Sequence, residues 1–120
     1  MRIELDHLPD SDLSPNKRLH YMKVYQAKRD AKDEAMILVL AQGRPEKAHQ
    51  KAHITITWVA KDKRRRDVDN MFASMKSYID GLVDVGLLAD DSAMHVSYTL
   101  RYELGTKDNT IIEVEEKEIG

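Results

Sequence analysis

The chain has 120 residues, of which 42% are hydrophobic and 33% charged, and its formal net charge is −2. These values are typical of one globular domain and argue against a disordered chain. Cysteine is absent, which excludes disulfides, thiolate metal sites and a cysteine nucleophile. No apolar run approaches the roughly 20 residues of a membrane-spanning helix, and the first residues lack the apolar stretch of a secretory signal. We therefore expect a cytoplasmic protein without a membrane partner.

The first two thirds of the chain predict the order β-α-β-α. Alternation over residues 2–6 indicates a short strand, and turn-forming residues follow at 9–16. Helical spacing predicts a first helix from about Lys23 to Gln42, ended by Gly43. Residues 53–59 form a β-branched, alternating strand, and an apolar stripe predicts a second helix from near Asp67 to Gly86. The apolar positions of the first helix are Val24, Ala27, Ala31, Ala35, Met36, Leu38 and Leu40.

The last third of the chain predicts two more strands. Residues 94–102 alternate strictly between apolar and polar, and in the final strand Ile112 and Val114 face one way. Residues 105–109 between them resemble a hairpin connection. No repeat or linker interrupts residues 1–120. We therefore predict a single two-layer α/β (α+β) domain, in the order β-α-β-α-β-β, with a mixed sheet and two main helices packed on it.

Five cations stand within six residues after the middle strand, at Lys61, Lys63, Arg64, Arg65 and Arg66. Such side chains can hold the phosphates of a nucleic acid, and Lys17 and Arg18 form a second, smaller basic cluster. A charge run is more commonly only a solvated loop, and a net charge of −2 is low for a nucleic-acid-binding domain. A local patch can still bind phosphate on a protein that is neutral as a whole.

Two carboxylates, Asp67 and Asp69, follow the basic run directly, and Asn70 adds an amide. Carboxylate oxygens are ligands of hard divalent cations, and in extended backbone side chains two positions apart point the same way. Asp90 and Asp91 form a second acidic pair that completes a metal site if the chain doubles back. The alternative is a helix cap for the first pair and an exposed turn for the second. The combination of cations and carboxylates favours a metal-dependent DNA endonuclease.

Lys76 lies at helical spacing from Asp69, about 10 Å along a regular helix axis. Its ammonium group would neutralise a phosphate or the charge that develops on a leaving oxygen. A solvated lysine is the equally weighted alternative. The five histidines show no zinc-binding spacing.

The run from Arg64 to Asn70, a following helix with Lys76, and the segment from Gly86 to Asp91 resemble one known family. They are similar to the RusA-type Holliday-junction resolvases of bacteria and their prophages. The clear resemblance covers about residues 61–96, and residues 15–18 are similar to the family's N-terminal loop. The sequence departs from the family by roughly three extra residues before Lys76 and by its low net charge.

The resemblance implies a cytoplasmic, homodimeric endodeoxyribonuclease that uses Mg²⁺, or alternatively Mn²⁺. It would resolve four-way DNA junctions by paired phosphodiester hydrolysis, in DNA recombination and repair. Asp67, Asp69 and Asp91 would bind the metal and act in catalysis with Lys76, and Asp90 matches an acidic neighbour. Two alternatives remain: a nuclease for other branched DNA, and a non-catalytic DNA-binding protein of a mobile element.

Overall fold

A mixed four-stranded sheet forms the centre of the fold, in a computed structural model that describes residues 1–15, 17 and 20–118. The strands are β1 (Arg2–Leu5), β2 (Ala52–Ala60), β3 (Val96–Leu104) and β4 (Asn109–Glu116). Their order in the sheet is β1-β4-β2-β3. β2 pairs in parallel with β3 and antiparallel with β4, which also pairs antiparallel with β1. The α+β class and the mixed sheet predicted from the sequence are confirmed.

The described residues form three α-helices, α1 (Tyr21–Gln42), α2 (Val68–Ala73) and α3 (Lys76–Asp84). The first corresponds to the first predicted helix, and the other two lie in the region of the second. The ring of His20 caps α1 by accepting a hydrogen bond from the Met22 N–H. Gly43, with a φ of 90°, ends α1 in a conformation that favours glycine. Among the described residues, no helix is both long and apolar enough to cross a membrane.

The core lies between one face of the sheet and the helices. Ile54, Ile56 and Trp58 of β2 are buried, whereas the alternate residues His53 and Thr55 are only half-buried. This alternation is expected for a sheet with helices on one face. The buried residues of α1 are Ala31, Ala35 and Val39. Leu40, one of the apolar positions at helical spacing, is 57% exposed, because the buried stripe repeats every four residues and passes through Val39 instead.

The predicted hairpin between β3 and β4 is wrong. β2 lies between these two strands, and the connection crosses the end of β2. The Gly105 N–H donates to the Ala60 carbonyl at 2.9 Å, and the Asp108 carboxylate accepts from the Lys61 N–H at 2.9 Å. A Cβ at Gly105 would lie 2.6 Å from Val59 Cγ1, so a larger residue there would require the Val59 side chain to shift. Alternation along a strand reveals its buried face but not its neighbour.

The predicted second helix is divided in two at Ser74 and Met75. The Ser74 hydroxyl donates to the Asn70 carbonyl at 2.9 Å, and the Met75 N–H bonds three residues back, to Phe72. Bonding of a serine side chain to a backbone carbonyl one turn earlier commonly bends a helix. The apolar stripe continues through the bend, so periodicity could not locate it. The predicted end at Gly86, with a φ of 88°, is confirmed.

Candidate DNA-binding cleft and acidic site

The basic loop, residues 61–66, joins the end of β2 to the start of α2 and is held by its last cation. Arg66 is only 14% exposed in its side chain and contacts Asp62 Oδ1 at 3.2 Å. It also donates to the Tyr102 hydroxyl at 3.1 Å. Arg64 and Arg65 extend into solvent instead, with Arg65 88% exposed. Of the predicted phosphate-binding residues, Arg66 therefore organises the loop, whereas Arg64 and Arg65 are available to a ligand.

Two carboxylates fix the backbone of the basic loop. Asp62 Oδ1 accepts a hydrogen bond from the Arg64 N–H at 3.0 Å. This bond, with the nearby charges of Arg66 and Arg64, holds the pKa of Asp62 below its usual value despite partial desolvation. Asp108, from the β3–β4 connection, binds the Lys61 N–H. The crossing connection therefore helps to position the basic loop.

A cleft of about 570 Å³ opens beside the basic loop. One side is formed by the segment from Leu8 to Ser14, and the other by the basic loop and the start of α2. The charged residues that line it are Lys61, Arg64, Arg65, Arg66, Asp10, Asp62, Asp67 and Asp108. Four of the cations predicted to bind phosphate and one predicted metal ligand, Asp67, therefore line one cavity, whereas Lys63 and Lys17 do not line it.

Asp67 precedes α2 in an extended conformation, with φ −82° and ψ 133°. Its side chain makes no capping hydrogen bond, and its Oδ1 lies 3.0 Å from Arg65. Asp69 is exposed in the first turn, where its Oδ1 lies 3.0 Å from the Asn70 N–H. The capping alternative therefore does not describe Asp67, whose carboxylate lines the cleft.

The chain doubles back after α3 and brings Asp91 to the start of that helix. Lys76 Nζ donates to Asp91 Oδ2 at 2.5 Å and to Asp80 Oδ1 at 2.6 Å. The bonds to Asp80 and then Asp91 raise the pKa of Lys76, and the bond from Lys76 lowers that of Asp91. Asp90 Oδ1 accepts from the Asp91 N–H at 2.9 Å. Lys76 is therefore fully charged at neutral pH and is the partner of a predicted metal ligand.

The three aspartates offer Mg²⁺ the oxygen donors that it prefers. Within the described part of the chain, however, the one group of potential ligands with atoms within 4.8 Å of one another is Asp6, His7 and Glu34. Asp67, Asp69 and Asp91 do not form such a group, and Asp67 and Asp91 each pair with a cation. The donor chemistry fits a hard cation, but the three carboxylates would have to move closer together to bind one ion.

The other group, Asp6, His7 and Glu34, is explained by an ion pair. His7 Nε2–H donates to both oxygens of Glu34, at 2.8 and 2.9 Å, and its Nδ1–H donates to the Leu8 carbonyl at 2.7 Å. Burial lowers the pKa of His7, but these two contacts outweigh it and raise the pKa overall. Both ring nitrogens of His7 are therefore already engaged by oxygen atoms, and neither is free to bind a metal.

The smaller basic cluster is only partly described. Lys17 Nζ lies 3.0 Å from Asp12 Oδ1 and 3.0 Å from the Ser11 hydroxyl. Arg18 lies outside the described residues. Lys63, in the basic loop, is exposed. Lys17 therefore holds the turn at Ser11 rather than presenting an unpaired charge.

Sequence reasoning overlooked Trp58 and Tyr102 as members of the site. Trp58 lines the cleft from β2, and Tyr102 anchors Arg66 from β3. Both were interpreted only as strand residues, because strand pairing that aligns Trp58 with Tyr102 is not visible in one sequence. One signal in the sequence could have placed Trp58 in the site: it stands three residues before the basic loop.

Comparison of the chain with models of known protein families gave no match, and comparison with curated proteins gave none.

Proposed function

We propose that this protein is a metal-dependent endodeoxyribonuclease that cuts branched DNA, with four-way junctions as its preferred substrate. One observation carries the proposal: Asp67, which does no capping, lines the same cleft as the exposed cations Arg64 and Arg65. Cations hold a phosphodiester in place, and a carboxylate beside them is suited to a hard cation. The resemblance of residues 61–96 to RusA-type resolvases supports the choice of substrate.

In this proposal, Asp67, Asp69 and Asp91 would hold Mg²⁺ or Mn²⁺. A bound Mg²⁺ supplies an activated water and stabilises the departing oxygen. Lys61, Lys63, Arg64 and Arg65 would hold the phosphates of the strand. Lys76, whose ammonium group lies beside Asp80 and Asp91, would serve as an electrostatic partner of the phosphate.

A homodimer would present two such sites to the two strands that must be cut in a four-way junction. Twofold symmetry is the commonest arrangement of soluble homo-oligomers. We propose this assembly together with the roles in DNA recombination and repair that the resemblance implies.

The test is cleavage of a labelled four-way junction, a flap and plain duplex, with Mg²⁺ and with chelator. We expect paired nicks in the junction that require the metal. The Asp69→Asn variant should fold normally and lose at least about 100-fold in nicking rate, because it removes a charged metal ligand. Asp33→Asn, which removes an exposed carboxylate from α1, is the matched control and should cut normally. Full activity of the Asp69→Asn variant would refute the assignment of Asp69 as a metal ligand. Faster cleavage of the flap than of the four-way junction would make the flap the preferred substrate.

The ion pairs of Asp67 with Arg65 and of Asp91 with Lys76 favour a second candidate function. This second candidate is a non-catalytic DNA-binding protein, in which the carboxylates only neutralise neighbouring cations. Calorimetry with Mn²⁺ distinguishes the two: binding that is lost in the Asp69→Asn variant supports the nuclease. Absence of any metal binding, with DNA binding intact, supports the non-catalytic protein.

A further inference from the structure

Strand β3 forms one edge of the sheet and is largely uncovered. It is nine residues long, and its one strand partner in the described part of the chain is β2. One side of its backbone therefore presents N–H and C=O groups that no strand pairs with. None of its nine residues is buried, whereas six of the nine residues of β2 are. Native proteins shorten, twist or cover such edges, so a long open one indicates a missing partner.

The face of β3 that continues the core is apolar, and it becomes more exposed toward the end of the strand. Tyr98 packs edge-to-face on Phe72 of α2, with the ring centroids 4.9 Å apart. Further along the same face, Tyr102 is 43% exposed and Leu104 is 54% exposed. Apolar side chains therefore extend past the helices at the end of β3, and a partner with its own apolar surface would cover them.

The opposite face of β3 carries one cation and one carboxylate, Arg101 and Glu103, two positions apart. Both side chains are exposed, and neither contacts an oppositely charged group among the residues that the structure describes. If two copies of β3 pair antiparallel about a twofold axis at Tyr102, Arg101 of each copy lies opposite Glu103 of the other. A twofold interface between identical chains requires a surface that is complementary to itself. The charges of β3 therefore fit a second copy of this chain.

The register of such a pair is limited by the alternation along β3, because apolar residues must lie opposite apolar residues. A register centred on Arg101 would set the two Arg101 side chains against each other, which is unfavourable. A register centred on Leu100 would pair the whole strand but leave both charged side chains opposite hydroxyl groups. The register centred on Tyr102 joins the opposite charges and also covers the most exposed apolar residues.

We propose that a second copy of this chain pairs edge to edge with β3, antiparallel, with the twofold axis at Tyr102. The two four-stranded sheets then form one continuous sheet, with the helices of both copies on the same side. β2 aligns Ala60 with Leu104, so each basic loop begins just beyond the axis. From ordinary strand spacings, the two loops start about 20 Å apart. The inference rests on the proposed function only in taking these loops as DNA-binding, and it names the interface of the homodimer.

Exchange of the two charges tests this interface. The mass of the whole chain is measured by sedimentation over a range of protein concentrations, without DNA or metal, and we expect a dimer. Arg101→Glu sets like charges opposite each other at two places in the dimer, so the dissociation constant should rise about 10-fold. Arg101→Glu combined with Glu103→Arg restores the pairs in reversed order, and the dissociation constant should return to within about 3-fold of the original.

Arg29→Glu makes the same change of charge at an exposed position of α1 and is the matched control. It should leave the dissociation constant of the dimer unchanged. A chain that stays monomeric at every concentration would overturn the proposal. A dimer that Arg101→Glu does not weaken, or that the double exchange does not restore, would overturn it as well.

The absence of cysteine from the chain allows a second test. Residues directly opposite each other in an antiparallel pair have Cα atoms about 4.5–5.5 Å apart, a distance that a disulfide can span. Tyr102→Cys should therefore give a covalent dimer on mild oxidation. Leu100→Cys should not, because the two substituted positions would lie about 14 Å apart. The reverse pattern contradicts the register, and if Tyr102→Cys does not fold, the charge exchange decides.

These measurements use neither DNA nor metal, so the two proposals fail separately. A protein that forms this dimer but never cuts a junction keeps the interface and loses the proposed nuclease. A protein that cuts junctions as a monomer, or as a dimer that does not respond to the charge exchange, keeps the nuclease and loses the interface.

Discussion

At the scale of single residues, the same kind of side chain has different roles in the basic loop. Arg66 bonds to Asp62 and Tyr102, whereas Arg65 extends into solvent beside Asp67. A count of charges along the sequence treats these arginines as equal. One partner that distinguishes them, the Tyr102 hydroxyl, comes from a distant part of the sequence that the pairing of β3 with β2 brings close. The sequence therefore predicted the basic cluster but not which of its cations extend into solvent.

The His7–Glu34 ion pair predicts a dependence of stability on pH. Burial works against protonation of His7, but its contacts with the Leu8 carbonyl and Glu34 raise its pKa in the folded protein above the ordinary 6.5. Protonation therefore stabilises the fold fully below about 6.5, and this contribution is lost as pH rises through the higher folded value. We expect the free energy of unfolding in urea to fall as pH rises above about 6.5, the ordinary value from which the pKa of His7 is raised.

The His7→Gln variant should lose this part of the pH dependence. His53→Gln is the matched control, because the partners of the His53 ring among the described residues are the hydroxyls of Ser97 and Thr99. It should keep the same decrease as the unaltered chain. An unchanged decrease in the His7→Gln variant would assign the effect to another group.

At the scale of elements, the contact between α1 and α3 depends on one glycine. A Cβ at Gly81 would lie 2.6 Å from the Lys32 carbonyl oxygen and 3.0 Å from Ala35 Cβ. We expect Gly81→Ala to destabilise the protein by about 1–3 kcal/mol in urea unfolding, because the backbone of α1 must move away. Gly81→Ser, which adds a further atom at the same place, should cost more. A neutral or stabilising Gly81→Ala would show that helix propensity outweighs the crowding.

The sequence predicted the existence of elements better than their arrangement. Four strands, both helical regions and the stops at Gly43 and Gly86 were confirmed, because each depends on local periodicity or on a positive φ. The hairpin was wrong, and the bend at Ser74 was missed. The connection between β3 and β4 depends on a strand from elsewhere in the chain, and the bend depends on one side-chain hydrogen bond. The doubling back that brings Asp91 to Lys76 likewise depends on tertiary packing.

At the scale of the whole molecule, a net charge of −2 means that the proposed DNA binding would have to come from a local patch. We expect binding to a branched DNA to weaken steeply with salt. Arg65→Gln should reduce the slope of log affinity against log salt by about 1, because one phosphate contact is lost. Lys47→Gln, on an exposed lysine before β2, makes the same charge change away from the basic loop and should leave the slope unchanged. Equal slopes for both variants would indicate that only overall charge matters.

The position of β4 between β1 and β2 affects how this protein emerges from the ribosome. β4 is translated after the three other strands, yet it is the neighbour that two of them require. Until residue 116 has left the exit tunnel, β1 has no partner and β2 has an open edge on the side that β4 will fill. Such open edges in a nascent chain are sites of aggregation. Synthesis of this protein is therefore expected to benefit from chaperones that shield the edge of β2 while the last strand is made.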